Sequence, residues 1–175
     1  MTAHAFVDET KTPGLLLVAA VLAPRDLAPA RSMMQALRLP GQTRLHFVKE
    51  RPSRRQEIAA AVCRTGAALD IYDATGIRDQ RAGREACLRK LVADLSVAGA
   101  HRLVIEQDDS LIERDQVVLY DAVRRADVAG SLTYEHLPAR SEPLLWIADA
   151  AAWCWTHGSA WRSRVGPVVR DVRRL

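Results

Sequence analysis

The chain has 175 residues, 49% of them hydrophobic and 26% charged. This is ordinary globular usage: it excludes a disordered, collagen-like or coiled-coil chain and argues for one packed domain over residues 1–175. Lys and Arg number 25 against 21 Asp and Glu, a net charge of +4, and 22 of the 25 are Arg, whose planar fork suits phosphate, although codon bias accounts for such a count equally well.

Residues 3–7 form a short β-type run ending in Asp8-Glu9, and after the turn material Lys11-Thr12-Pro13-Gly14 comes a second run over 15–22, so a hairpin of two buried strands is expected. Leu27, Ala30, Met34 and Leu37 recur at helical spacing until Pro40-Gly41. Residues 44–50 read as a polar, basic connector. Ser53 and Gln56 suggest a capping box for a helix ending at Gly66. A strand over 67–74, a helix over 79–98 and a strand over 101–107 follow. Ser110 and Glu113 suggest a second capping box, for a helix to about 126; a strand over 132–137 and a last helix after Ser141 complete the order. The expected architecture is a three-layer α/β domain, a mixed β-sheet flanked by helices. From about residue 162 the chain reads as a basic tail carrying Arg162, Arg164, Arg170, Arg173 and Arg174.

The longest apolar runs, 14–23 and 144–155, are shorter than the ~18 residues of a membrane span, so no membrane partner is expected. No basic-then-apolar leader marks export, and the expected location is the cytoplasm. Cys63, Cys87 and Cys154 show neither disulfide nor zinc spacing and read as core filler.

The carboxylates are the informative residues. Asp8 follows Phe6-Val7, and Glu106 follows Leu103-Val104-Ile105, with Asp108 and Asp109 just beyond. Asp149 is the one charge between Leu144 and Trp155. A buried carboxylate needs a partner, so Asp149 requires either an arginine from elsewhere in the fold or a metal. Taken singly, Asp8 also reads as a turn cap and Glu106 as a solvated strand end. Taken together, the three suggest an oxygen-only cluster at one sheet edge, suited to Mg²⁺ or Mn²⁺. Two such ions roughly 3.5–4 Å apart cleave phosphodiesters. Asp73, at the end of another apolar strand, is a reserve candidate beside its reading as a turn residue before Thr75-Gly76.

The opening Phe6-Val7-Asp8-Glu9-Thr10, the connector Leu45-His46-Phe47 before an Arg-rich helix, and the late Ile147-Ala148-Asp149 resemble the family of unknown function numbered 3800 (DUF 3800). The likeness runs from Ala5 to about His157. It implies a ribonuclease H-like fold, with Asp8, Glu106 and Asp149 as the metal-binding acids, Glu9 nearby, and His46 or Glu50 as active-site groups. Thr10 and Lys11 depart from the family's Ser-Gly, and Trp146 stands where the family has Gln.

No Walker loop, nucleophile elbow or dinucleotide fingerprint is present. His4, His101, His136 and His157 show no paired ligand spacing and read as surface or hydrogen-bonded residues. Trp146, Trp153 and Trp161 share one helical face, which reads first as core packing and otherwise as a base-stacking platform or a homodimer face.

The expectation is therefore a metal-dependent nuclease acting on RNA or DNA by a two-metal carboxylate mechanism. Asp8, Glu106 and Asp149 are its ligands, Asp109 or Glu50 a fourth, and His46 a proton carrier. Arg44, Lys49, Arg51, Arg54 and Arg55 hold the nucleic-acid backbone. The alternative is a catalytically inactive ribonuclease H-like module that binds nucleic acid or a protein partner.

Overall fold

The apolar run after the first turn is buried at every position, which suits a strand in the interior of a sheet covered on both faces. The computed structural model describes residues 2–175 and places the run there. Strands β1 (His4–Thr10) and β2 (Leu16–Leu22) form the expected antiparallel hairpin, pairing His4 with Leu22 through to Thr10 with Leu16. Strand β3 (Ala68–Asp73) is antiparallel to β2. On the other side β4 (Arg102–Glu106) runs parallel to β1, and β5 (Thr133–Leu137) parallel to β4. A sixth strand, β6 (Val169–Arg174), lies parallel to β3, giving the order β5-β4-β1-β2-β3-β6.

The pleat divides this sheet into two apolar surfaces. Phe6, Val18, Ala20, Ile71 and Val104 face α1 (Pro24–Ala36), α2 (Pro52–Val62), α5 (Leu145–Thr156) and α6 (Ser159–Val165). Ala5, Val7, Leu17, Tyr72 and Ile105 face α3 (Gln80–Val97) and α4 (Ile112–Arg125). The expected three layers and mixed sheet are present. No helix among the described residues is long and apolar enough to cross a membrane.

Three local expectations need correction. Neither capping box forms. Arg51 precedes α2 with Pro52 in its first turn, where the lost N–H is harmless; Leu111 precedes α4, and Ser110 bonds Asp108 instead. The strand expected to stop at Val7 continues to Thr10, so Asp8 and Glu9 lie within β1. The basic tail is not loose. After Gly158, whose φ is 96°, the chain builds α6 and then β6, where Arg170 pairs with the buried Asp70 and Arg173 with Asp94 at 2.5 Å. Alternation hid that strand, because β6 is a mostly exposed edge and carries almost no apolar signal.

Charge also ties the α3–α4 layer to the sheet. Arg84 on α3 makes a two-pronged contact with Asp115 on α4 at 2.7 and 2.8 Å, and Asp115 meets His136 Nε2 of β5 at 2.8 Å. Arg84 is 5% and Asp115 1% exposed. Arg84 sits in register with the inward Cys87, Leu88 and Leu91, and Asp115 with Val118, Leu119 and Ala122; a charge on an apolar stripe is the sequence signal that marks both.

Breaking a buried ion pair by removing one partner costs ~3–5 kcal/mol, and because Arg84 keeps Glu9 at 2.8 Å the lower end of that range applies here. Urea unfolding of Asp115→Ala is expected to show a loss of that size, whereas Asp121→Ala, whose partners Arg89 and Arg125 sit at the surface, leaves the midpoint near that of the wild type.

Candidate active site at the carboxyl ends of β1 and β4

Parallel pairing brings Val7 opposite Ile105, so the next residues, Asp8 and Glu106, end up side by side. Both follow the parity of Phe6 and Val104 and project toward α5. Helix α5 packs on β1 and β2, apolar from Leu145 to Trp155 except for Asp149, which completes a group of three acids. The connector before α2 closes over them: the Phe47 N–H donates to Asp149 Oδ2 at 3.0 Å, Arg44 Nη1 donates to Glu106 Oε1 at 3.0 Å, and Arg44 Nη2 stands 3.7 Å from Asp149 Oδ2.

The group carries more negative charge than its surroundings offset. Loss of water around Asp8, then the charges of Glu106, Asp149 and Glu9, hold its carboxyl well above the usual 3.8. Burial likewise raises Asp149, while the Phe47 N–H and Arg44 pull it back. Glu106 Oε2 is buried without a hydrogen-bond partner. Arg44 is the one guanidinium among them, 24% exposed.

The other expected site residues are elsewhere. Glu9, one step along the pleat, points to the opposite face, where Arg84 Nη1 meets it at 2.8 Å. Glu50 is buried and taken by the Gln42 side chain at 2.9 Å and by Arg54 at 3.5 Å. Asp109 is exposed and accepts from Gln107 at 2.7 Å, so it is no fourth member. Asp73 caps its own turn through Thr75 at 2.6 and 2.9 Å. His46 immediately precedes the 3₁₀ turn Phe47–Lys49 and lies near enough for its charge to act on Asp149.

The expected basic patch divides. Arg44 is inside the acid group, Arg54 binds Glu50, Glu57 and the Leu37 carbonyl, and Arg55 binds the Phe47 and Val48 carbonyls; Lys49 and Arg51 remain exposed. The connector is short of carboxylates and carbonyl caps of its own, so its arginines satisfy the chain instead. Trp146 is buried and its Nε1–H donates to the Ala139 carbonyl at 2.6 Å, away from the acids. Trp153, Trp155 and Trp161 pack against the core.

Among the described residues no set of three or more His, Cys, Asp or Glu side chains stands in ready-made metal-holding geometry; Arg44 draws Glu106 and reaches toward Asp149. The donor chemistry nevertheless fits a hard divalent cation, with three carboxylates, one buried oxygen unpartnered, and surplus negative charge. A groove of about 400 Å³ opens beside the group, with Asp149, Thr10, Val48, Trp153 and His157 in its walls. Sequence reading set His157 aside because it has no ligand spacing; the feature that marks it is its position one helical turn after Trp153.

No protein family and no curated protein matches the sequence. Among solved structures, the chain is similar to one in the PCNA:RNase HII complex from Archaeoglobus fulgidus, with 16% identity and a TM-score of 0.56, over 86% of this chain and 70% of that one. At that identity the likeness establishes the fold, which is ribonuclease H-like.

The raised Asp8 carboxyl has a stability consequence. A group whose folded pKa exceeds 3.8 keeps a proton that the unfolded chain has released, so stability falls as pH rises upward from about 3.8. Asp8→Asn is therefore expected to unfold at a higher temperature than the wild type at neutral pH in chelator, and to lose that advantage below the window. Thermal melts of the two proteins across the pH range check this.

Proposed function

We propose that the chain is a metal-dependent nuclease of the DUF 3800 family, hydrolysing phosphodiester bonds of RNA or DNA at the β1–β4–α5 edge. The observation that carries this reading is the meeting of Asp8, Glu106 and Asp149 from three separate elements, under-compensated and with Asp149 in the wall of a groove. The contact between Phe47 and Asp149 also joins two of the three segments that resemble the family. Likeness to the PCNA:RNase HII chain supports the fold on which the reading stands.

Asp8, Glu106 and Asp149 would hold Mg²⁺ or Mn²⁺, which supplies a Lewis acid for activating water and steadying the leaving oxygen. Ligation would need the Asp8 carboxyl deprotonated, so binding would strengthen as pH rises. Arg44 exchanges its carboxylate contacts for a phosphate oxygen, a partner its fork fits equally well. His46, beside Asp149, delivers a proton to the departing oxygen. Lys49 and Arg51, exposed on the same connector, hold the substrate backbone.

The contact of Arg44 with both Glu106 and Asp149 favours a second reading, an inactive module that binds nucleic acid or a protein partner. At 3.7 Å the Asp149 contact is loose, and nuclease remains the better account. Single-stranded, duplex and hybrid oligonucleotides incubated with Mg²⁺ or Mn²⁺ are expected to be cut by the wild type and spared by Asp149→Asn. Cutting that survives the substitution or a chelator overturns the proposal; salt-dependent association without turnover establishes the second reading.

A further inference from the structure

The groove beside Asp149 ends in a stack of two rings that the acid group leaves unused. The Trp153 indole and the His157 imidazole lie 3.7 Å apart between centroids and 9° from parallel. A guanidinium, that of Arg55, stands 4.3 Å from the same indole centroid, and with the imidazole so close it occupies the opposite face. Phe47 and Trp161 pack against Trp153 with ring centroids 5.3 and 5.2 Å away. Trp153 is half-buried behind these neighbours, and the more open aromatic face belongs to His157, which is exposed.

That face is held still. His157 Nδ1 lies 2.8 Å from the Trp153 carbonyl oxygen, with Thr156 Oγ1 at 3.2 Å. A carbonyl only accepts, so Nδ1 carries the proton, and the ring is fixed in tautomer and orientation before any ligand arrives. Asp149 and His157 line one groove of about 400 Å³, a volume on the scale of a small-molecule site rather than of a long docking surface.

From this geometry we infer that His157, backed by Trp153, is a stacking platform for one unpaired nucleobase, which makes the chain selective for single strands or strand ends. The inference rests on the nuclease reading and narrows its substrate. A base within a duplex has both faces covered and presents neither to a side chain. A base lying on His157 places its own phosphate on the Asp149 side of the groove, while the Thr10 and Thr156 hydroxyl oxygens, whose protons go to chain carbonyls, remain as acceptors for sugar and base donors. Stacking tolerates any base, so the platform selects strandedness rather than sequence.

The test is binding, measured in the full chain carrying Asp149→Asn without divalent cation, by fluorescence anisotropy of short labelled single strands and of the same strands annealed. His157→Ala is expected to weaken single-strand binding roughly 5- to 100-fold and to leave duplex binding unchanged. His157→Phe, which keeps a ring but no charge or nitrogen, is expected to restore it. Equal binding by His157→Ala, failure of His157→Phe to rescue, or tighter binding of duplex each overturns the inference. The nuclease reading fails separately: it is lost if the unsubstituted chain binds single strands through His157 and never cuts them.

Discussion

One strand sets both halves of this molecule. β1 lies between β2 and β4, and its pleat sends Asp8 to one face and Glu9 to the other. Two adjacent acids in a sheet would repel and resist burial if they shared a surface. Separated by the pleat, each meets its own arginine system: Asp8 faces the group that Arg44 partly neutralises, and Glu9 meets Arg84. A one-residue slip of β1 would exchange them, placing Glu9 under α5 and Asp8 among the apolar contacts of α3 and α4. The parallel register with β4 is therefore a requirement of the site as much as of the core.

The two sides are finished differently. Around Glu9, Arg84, Asp115 and His136 each charge has a close partner and little exposure. Around Asp8, three acids share one mostly buried guanidinium, and an oxygen of Glu106 is left without a bond. That shortfall of positive partners leaves uncompensated negative charge beside the groove, where a cation can use it.

Much of this was legible in the residues. The hairpin, the alternation of strands and helices, and the suspicion attached to Asp8, Glu106 and Asp149 all followed from acids attached to apolar runs, because burial of a carboxylate is costly wherever it occurs. What failed to show depended on long-range pairing. Glu50 and Asp109 look like candidates until Gln42, Arg54 and Gln107 are seen to bind them. Arg44 reads as a surface cation, since nothing local reveals that Glu106, 62 residues later, will take its guanidinium. The two capping patterns were outcompeted, one by the fixed φ of Pro52 and the other by the Asp108–Ser110 turn. His157 gave no signal as a ligand because its partner is a ring face, which spacing rules for metal ligands do not describe.

The last strand has a consequence for the molecule among its own copies. Every open sheet ends in unpaired backbone groups that invite another strand, and here the two ends are β5 and β6. On β6 the run Arg170, Asp171, Val172, Arg173, Arg174 presents mostly charged, exposed side chains at that border. A second copy approaching edge to edge would have to strip water from these charged side chains. The arginines that first looked like a loose phosphate-binding tail thus give this border a charged character that discourages edge-to-edge pairing, in a sheet whose inner strand is entirely apolar.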